Sequence, residues 1–435
     1  MEKNKRVFRL QQHTPLIHFQ ADQTGATLRS TEVKPKLDVA LKAYFKSKRK
    51  SYNELLVGYH SKNRKPQHDA FNYRLIIRPR GEKWVESIPA KFPLFFGNMG
   101  NTFLEETKKL VFYPEIEFHI HCHFPEIIEA VENILPTFLL TENFGNRQSK
   151  GFGSFYLHPN DPLYQAPEST YHFEIKIKNG EDKLDDYEKL FTAIKWLYMA
   201  IRGGINLKSR EKFEANGFTW QLSTFYCKSL LFTYAKSKGW QWEKKSIKKH
   251  FFPNGTPKEI TGLEEQIHHY PEADILSFES GEAYLLKDLL GLSSSESWFS
   301  YKAKITKTHQ KPKDRKSTRI KRFKSPVFFK PILNPEQDRF EVLITTRDIP
   351  KPMLGAKFFI RNVRDKSNSD LPLSTPKSFS LDEFFHFIFE AKDQNGQYLV
   401  DLRQHIAPQY HDQEEFLILD RIFSQIRTNL IQPAS

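Results

Sequence analysis

The chain has 435 residues, enough for two or three domains at roughly 150 residues each, and aromatic residues make up 14% of it, enough to bury a sizeable core. Lys and Arg (66) outnumber Asp and Glu (52), so the net charge is +14, and no apolar stretch reaches the roughly 18 residues of a membrane span. Two cysteines exclude a disulfide scaffold and a cysteine-ligated zinc site, and we expect a soluble, cytoplasmic, basic protein with no membrane partner.

The basic charge is concentrated in two stretches. Residues 301–330 contain 12 Lys or Arg against one acid, and residues 1–50 contain 12 against four. These stretches carry +11 and +8, so the rest of the chain is net acidic (14 − 19 = −5). Such concentration favours a polyanion partner, because phosphate contacts release condensed counterions; solvated Lys-rich loops are the alternative.

Hydrophobic patterning predicts two α+β units, residues 1–165 and 166–435, the second with a helical insertion. Strands are predicted at 8–19, 73–78, 113–124, 154–157, 171–178, 325–333, 340–346 and 357–363. Helices are predicted at 36–45, 126–140, 184–202, 220–235, 282–290, 380–390 and 414–431. Ser380 with Glu383 three residues later forms a capping box.

The segment FGNRQSKGFGSFYL (144–157) is the most informative part of the first unit. Its three glycines allow a backbone to approach another molecule closely, its cations suit phosphate, and its amide and hydroxyl groups supply neutral hydrogen bonds. Phe152 can stack on a base or pack inward, and a plain flexible hairpin is the alternative for the whole loop. The residues that we expect to bind RNA here are Asn146, Arg147, Gln148, Ser149, Lys150, Gly151, Phe152 and Gly153.

Arg29, Lys34 and Lys36 lie just before or at the start of the predicted helix 36–45. Free backbone N–H groups and the helix dipole favour an anion at such a position. Basic side chains there oppose the dipole, so a bound phosphate between them is a consistent interpretation. An exposed helix start without a ligand is the alternative.

These segments carry a family resemblance. A first strand with a TPL motif, then LRSTEVKPKLDVAL, then the distant glycine loop NRQSKGFGS, and then RIKRFKSPVFFKPI (319–332) resembles the RAMP superfamily of CRISPR-associated proteins, in particular the two-domain RAMP subunit of the type III-B Cmr effector complex. The elements cover about a quarter of the chain and occur in the family's order.

The resemblance implies two ferredoxin-like (RRM-type) folds and an RNA-binding subunit without a cofactor. It also implies assembly with other RAMP subunits on guide RNA, with target RNA as a further partner. The physics agrees, since a four-stranded sheet with helices on one face leaves a platform for RNA.

The segment 302–330 mixes cations with aromatic rings, a combination that suits single-stranded RNA because rings stack on bases while cations follow phosphates. A solvated loop is the alternative. The cations that we expect to bind RNA are Arg319, Lys321, Arg322 and Lys324.

Histidines offer the remaining candidate chemistry. The strand IEFHIHCHF (116–124) places three histidines on one face, but alternate side chains on a strand stand about 6.7 Å apart, twice the rise per residue, too far to converge on one metal ion. A polar sheet face open to RNA is favoured over a metal site. His18 is the one weak candidate for RNA cleavage.

The sequence thus favours a non-catalytic RNA-binding subunit, with no convergent acid–base pair, no metal and no small-molecule cofactor. Two alternatives stay open. One is a metal-independent endoribonuclease that processes guide RNA precursor, and the other is a protein scaffold without RNA contact.

Overall fold

A computed structural model of the chain describes residues 4–17, 27–59, 68–89, 92–93, 109–178, 182–215, 218–253, 281–298, 301–310, 319–365 and 369–431. It has two compact units: residues 1–192 with 328–345 form the first, and residues 193–327 with 346–435 form the second. Among the described residues, no helix has the length and apolar composition needed to span a membrane.

Both units mix strands with helices. The strands of the described chain are β1 (Lys5–Gln12), β2 (Leu16–Ile17), β3 (Tyr73–Arg80), β4 (Trp84–Ser87), β5 (Lys109–Phe112), β6 (Glu115–Cys122), β7 (Phe155–Leu157), β8 (Tyr171–Lys176), β9 (Ile205–Lys208), β10 (Phe213–Ala215), β11 (Phe218–Trp220), β12 (Ser223–Cys227), β13 (Gln241–Trp242), β14 (Ala283–Tyr284), β15 (Ser295–Trp298), β16 (Ala303–His309), β17 (Val327–Asn334), β18 (Arg339–Thr346), β19 (Lys357–Asn362) and β20 (Leu371–Ser374). The helices are α1 (Ser30–Ser47), α2 (Pro125–Thr141), α3 (Lys183–Arg202), α4 (Leu230–Ser237), α5 (Glu243–Phe251), α6 (Leu381–Phe389), α7 (Leu402–His405) and α8 (Glu414–Ile431).

The first unit is built on a four-stranded sheet with the order β3-β6-β1-β7. Its elements follow the chain as β1-α1-β3-β6-α2-β7, and each strand pairs antiparallel with its neighbours. Two three-stranded sheets, β2-β5-β4 and β17-β18-β8, complete the unit.

Alternation decides which face of the first sheet is buried. On β6, Ile116, Phe118 and Ile120 are fully buried, whereas Glu117 and His121 on the opposite face are partly exposed and His119 on that face is 6% exposed. Helices α1 and α2 lie on the buried face and add the apolar side chains of Val33, Leu37, Leu41, Ile127, Val131 and Leu135. Burial of each such side chain contributes roughly 1.5–3 kcal/mol.

The second unit contains a six-stranded sheet with the order β13-β14-β20-β19-β16-β15. Two ribbons, β10-β11 and β12-β9, lie outside that sheet. Helix α6 packs against α4 and α8 through aromatic pairs such as Tyr234 with Phe384, whose ring centroids are 5.2 Å apart, and Phe389 with Phe423, 5.0 Å apart.

An ion cluster is buried beside this sheet. The Lys307 amine lies 2.8 Å from Asp288 and 3.1 Å from Glu296, and it is 1% exposed. Burial opposes its charge, but the two carboxylates raise the pKa of Lys307 above its ordinary value. This cation therefore serves packing and is closed to a ligand.

Most predicted elements are confirmed, and the Ser380 half of the capping box is confirmed by a hydrogen bond of 3.2 Å from the Glu383 amide to the Ser380 hydroxyl, while the Glu383 carboxylate pairs with Lys238 instead. The helix predicted at 220–235 is wrong, because β12 occupies 223–227 and the helix begins only after Ser229, whose hydroxyl caps it. Alternating STFYC favours a strand over the helical spacing of its leucines.

The region 239–310, expected to be largely irregular, contains α5 and the paired strands β15 and β16. The short helix predicted at 282–290 is a strand, β14, followed by one turn of 3-10 helix. Packing also groups residues 166–192 and 328–345 with the first unit. Domains with a boundary at residue 165 stay a prediction.

Gly153 should be the least replaceable residue of the glycine loop. Its φ is +63°, and an added Cβ would lie 2.0 Å from the Phe144 carbonyl oxygen. Gly153→Ala should lower the free energy of unfolding by about 1–3 kcal/mol from backbone strain alone, measured by chemical denaturation. Gly203→Ala is the control, because its Cβ would meet nothing within 4 Å. Equal effects of the two variants would contradict the strain argument.

Candidate nucleic-acid interface

The glycine loop, residues 144–153, folds tightly against the turn that follows β1. The Asn146 amide donates to the Ile17 carbonyl at 2.8 Å, and the Gly153 amide donates to the Pro15 carbonyl at 2.9 Å. The Thr14 hydroxyl donates to the Gly151 carbonyl at 2.6 Å. The TPL motif and the glycine loop, distant in sequence, are therefore one structural element.

Helix α1 fixes the other side of the loop. The Glu32 carboxylate accepts from the Gly145 amide at 2.7 Å and from the Gln148 side-chain amide at 3.0 Å. The Lys36 amine donates to the Glu142 carboxylate at 2.9 Å, to the Asn143 carbonyl at 3.0 Å and to the Gln148 side-chain oxygen at 3.0 Å. Charged partners make these hydrogen bonds strong, so the loop is preorganised.

Helix α1 begins at Ser30, which corrects the predicted start at residue 36. Lys34 and Lys36 therefore lie in the second turn, away from the free N–H groups, and the acid in the first turn is Glu32. The Lys34 amine contacts Asp38 at 3.1 Å, donates to the Phe71 carbonyl at 2.9 Å and lies over the Tyr73 ring. Lys34 and Lys36 therefore have partners within the unit, and their contact with an anion stays a prediction.

Arg29 is the N-cap residue of α1, and its side chain is half-buried. It forms no side-chain hydrogen bond or ion pair with any residue in the described ranges. Of the three cations predicted at this helix start, Arg29 is therefore the one placed to accept an external partner.

Strand β17 supplies a third tether, which sequence reasoning missed. The Lys330 amine, fully buried, donates to the Glu142 carbonyl at 3.0 Å, to the Asn143 side-chain oxygen at 3.2 Å and to the Phe155 carbonyl at 2.7 Å. Burial lowers the pKa of Lys330 well below its ordinary value, and Glu142 opposes that shift. In the sequence, the only sign of this contact was a single lysine within the apolar run VFFKPIL.

Two of the predicted loop residues point away from solvent. Lys150 is 7% exposed, and Phe152 is fully buried with its ring stacked on Phe191 at 3.7 Å. Phe152 therefore takes the inward alternative. Asn146, Arg147 and Ser149 are partly exposed and form the outer edge of the loop.

The second unit carries the basic segment, residues 319–325. Ile320 and Phe323 are partly buried, the Ile320 amide donates to the His309 ring at 3.2 Å, and the Leu292 amide donates to the Phe323 carbonyl at 3.0 Å. These contacts tie the segment to the second unit and leave its cations exposed. The exposed cations are Arg319, Lys321, Arg322 and Lys324. None of the four forms a hydrogen bond or ion pair with a residue in the described ranges.

Only some of the cations and aromatic rings that alternate in 302–330 are exposed to a ligand. Phe328 is 2% exposed and Phe329 is fully buried, because β17 is apolar on both faces. Lys307 and Lys330 from the same stretch are buried as well. A ligand at this stretch therefore meets cations and one half-buried ring, Phe323, rather than a row of stacking platforms.

On strand β6, Glu117, His119 and His121 share one face, but His119 is only 6% exposed, so the predicted polar face is open mainly at Glu117 and His121. The His119 ring contacts the Glu117 carboxylate at 2.9 Å, and the His119 and His121 rings stack 6.4 Å apart. Hydrogen bonds from Arg80 and His119 lower the pKa of Glu117 to about 2. No group of three His, Cys, Asp or Glu in the described ranges is placed to hold a metal ion.

His18 lies outside the described residues. His13, five residues earlier, is 2% exposed. Burial lowers the pKa of His13 to about 3, with a further contribution from the positive charge of Lys330. His13 accepts a hydrogen bond of 3.0 Å from the Leu333 amide. A neutral, buried imidazole of this kind is structural and is closed to RNA.

Comparison with known proteins gives two family matches. The Cmr1 N-terminal domain matches residues 3–205, and the Cmr1 C-terminal domain matches residues 226–405. Together they identify a RAMP-type CRISPR-associated protein, a class whose type III-B members are subunits of the Cmr effector complex. Within that class, this chain belongs to the Cmr1 family.

Solved structures give weaker likenesses. The crystal structure of Cmr1 from Pyrococcus furiosus in its apo form is 10% identical, with 88% of this chain and 95% of that chain covered and a TM-score of 0.33. A chain of the type III-B Cmr-beta bound to cognate target RNA, solved by cryo-EM, is 13% identical, with 35% of this chain and 58% of that chain covered and a TM-score of 0.24. No curated protein matches the sequence.

Lys36→Met tests whether the loop depends on α1. The variant leaves oxygens of Glu142, Asn143 and Gln148 without their donor, so we expect a loss of about 1–3 kcal/mol in the free energy of unfolding, measured by chemical denaturation. Lys46→Met is the matched control, because Lys46 is exposed on the last turn of the same helix. A loss no larger than that of the control would contradict the tether.

Proposed function

We propose that this chain is a non-catalytic RNA-binding subunit of a type III-B CRISPR effector complex. Its partners are guide RNA, target RNA or both, together with other RAMP subunits, and no cofactor is needed. Membership of the Cmr1 family supports the assembly part of this proposal.

The observation that carries RNA binding is the basic segment. Four exposed cations lie within six residues, and the partly buried Ile320 and Phe323 between them, held by hydrogen bonds, tie the segment to the unit. Carboxylate partners would neutralise them, but none of the described residues supplies one. Phosphates along a nucleic-acid strand neutralise such a row with release of counterions, which is a favourable and salt-dependent process.

The topology supports a ferredoxin-like fold in the first unit. The order β1-α1-β3-β6-α2-β7, with the sheet order β3-β6-β1-β7, is that of the ferredoxin-like β-α-β-β-α-β motif. A second copy is proposed around the sheet β17-β18-β8, where β8 leads into α3 and the paired strands β17 and β18 come later in the chain. In the first copy, the sheet face that α1 and α2 leave uncovered is then available to RNA, whereas β17 of the second copy is buried on both faces.

In the first unit, Arg147 at the outer edge of the glycine loop is the proposed phosphate contact. Its backbone is left-handed, with φ of +57°, and the residue is partly exposed. Lys150 is proposed to act through the shape of the loop, because burial removes its amine from direct reach.

The triple variant Lys321→Glu, Arg322→Glu, Lys324→Glu tests the function. We expect weaker binding to single-stranded RNA of every sequence and a salt slope, log K against log salt concentration, reduced by about 2, from roughly 0.7 per contact for three contacts. Fluorescence anisotropy of a labelled RNA at several salt concentrations measures both.

The matched control is Lys351→Glu, Lys377→Glu, Arg421→Glu, which changes the charge equally at three exposed positions of the same unit. The control should change affinity less than the test variant and leave the slope nearly unchanged. Equal losses in the two variants would mean that net charge, and not this segment, binds RNA. Absence of RNA binding by the unmodified chain would overturn the function.

A further inference from the structure

A second charged surface lies on the first sheet, on the face that α1 and α2 leave uncovered. The strand register places Arg74 of β3 and Lys5 of β1 directly on either side of His121 of β6. The outward positions are Lys5, Val7, Arg9 and Gln11 on β1, Glu115, Glu117, His119 and His121 on β6, and Arg74, Ile76, Arg78 and Arg80 on β3.

Acidic side chains neutralise one end of this face only. Arg80 contacts Glu117 at 3.0 Å, and Arg9 lies 3.9 Å from Glu115. The exposed cations that form no hydrogen bond or ion pair with any described residue are Lys5, Arg74 and Arg78. Because neighbouring strands are about 4.8 Å apart, Lys5 and Arg74 lie close to His121 at the other end of the face, while Arg78 lies opposite Glu117 and its charge also acts on His121.

We propose that Lys5, Arg74, Arg78 and His121, the sheet-face cluster, bind the phosphate backbone of a single RNA strand that crosses the outer face of the first sheet. This inference rests on the proposed function and adds a contact surface separate from the basic segment. Guanidinium groups match phosphate oxygens with paired donors, and the lysine adds a point charge.

The composition of the face favours a nucleic-acid backbone over a protein partner. A stable protein interface has an apolar core, whereas Val7 and Ile76 are the only outward apolar side chains on β1, β3 and β6, and both are partly buried. None of the outward positions on these three strands is Phe, Tyr or Trp, so the face lacks the large aromatic rings on which bases usually stack. Binding should therefore be independent of RNA sequence.

Because of His121, RNA binding at this surface should depend on pH. Burial first, and then the charges of Lys5, His119, Arg74 and Arg78, lower the pKa of His121. A phosphate beside these cations offsets their repulsion and raises that pKa, so binding takes up a proton and strengthens as the pH falls. The other titratable groups facing His121 are on its own strand and just beyond it: Glu117, His119 and His123.

The test compares full-length variants in the same RNA-binding assay. Lys5→Glu, Arg74→Glu, Arg78→Glu should weaken binding of a labelled uridine 20-mer by more than about tenfold and reduce the salt slope by about 2. The control Lys46→Glu, Lys50→Glu, Lys176→Glu reverses three exposed lysines elsewhere in the first unit and should cost less than about threefold. A milder set, Lys5→Gln, Arg74→Gln, Arg78→Gln, keeps the test valid if reversal impairs folding.

The two proposals fail separately. If the basic-segment variant loses RNA while the sheet-face variants bind like the control, the sheet-face inference is wrong and the proposed function stands. If the unmodified chain binds no RNA, both are wrong.

The pH dependence of RNA affinity tests the role of His121 separately. In the unmodified chain, affinity should rise severalfold from about pH 7 to about pH 5, and His121→Gln should remove most of that rise. The same rise in His121→Gln would overturn the role of His121, and loss of affinity in the triple variant would then assign the surface to its three fixed cations alone.

Discussion

Helix α1 and the glycine loop are held together by a carboxylate and an amine on the same side of one helix. Glu32 accepts hydrogen bonds from the Gly145 backbone amide and the Gln148 side-chain amide. One turn later, Lys36 donates to oxygens of Glu142, Asn143 and Gln148, at the base of the loop and within it. Lys330 approaches the same loop base from strand β17. These partners fix the conformation of the loop, and the loop in turn fixes the TPL turn after β1, so the arrangement of the whole first unit depends on them.

The cations of this protein therefore belong to two populations. Lys36 and Lys330 at the base of the loop and Lys307 on β16 are partly or fully buried and paired, so they stabilise the fold, because an unpaired buried charge is costly. Those on the basic segment and around His121 are exposed and lack described partners. A net charge of +14 says nothing about this division, which is what decides where a polyanion can bind.

Sequence reasoning performed well where periodicity is local. The helix 414–431 and the strand at 340–346 follow from apolar spacing, and the capping box located α6. The predicted start of α1 was too late because the apolar spacing that marked the helix begins at Leu37, whereas the helix begins at Ser30 and contains Pro35 in its second turn. The tether by Lys330 depends on a contact between positions 188 residues apart, which no local pattern reports. The cluster around His121 likewise needs the register of three strands, of which the sequence showed only the histidines on one.

Lysine acetylation with and without single-stranded RNA tests the division of cations most directly. Without RNA, Lys5, Lys321 and Lys324 should react, whereas Lys36 and Lys330 should stay unmodified. With RNA, the three reactive lysines should become protected while Lys50 and Lys377, exposed elsewhere, keep reacting. Equal modification of Lys321 and Lys324 with and without bound RNA, or ready modification of Lys330 in the folded chain, would contradict the account.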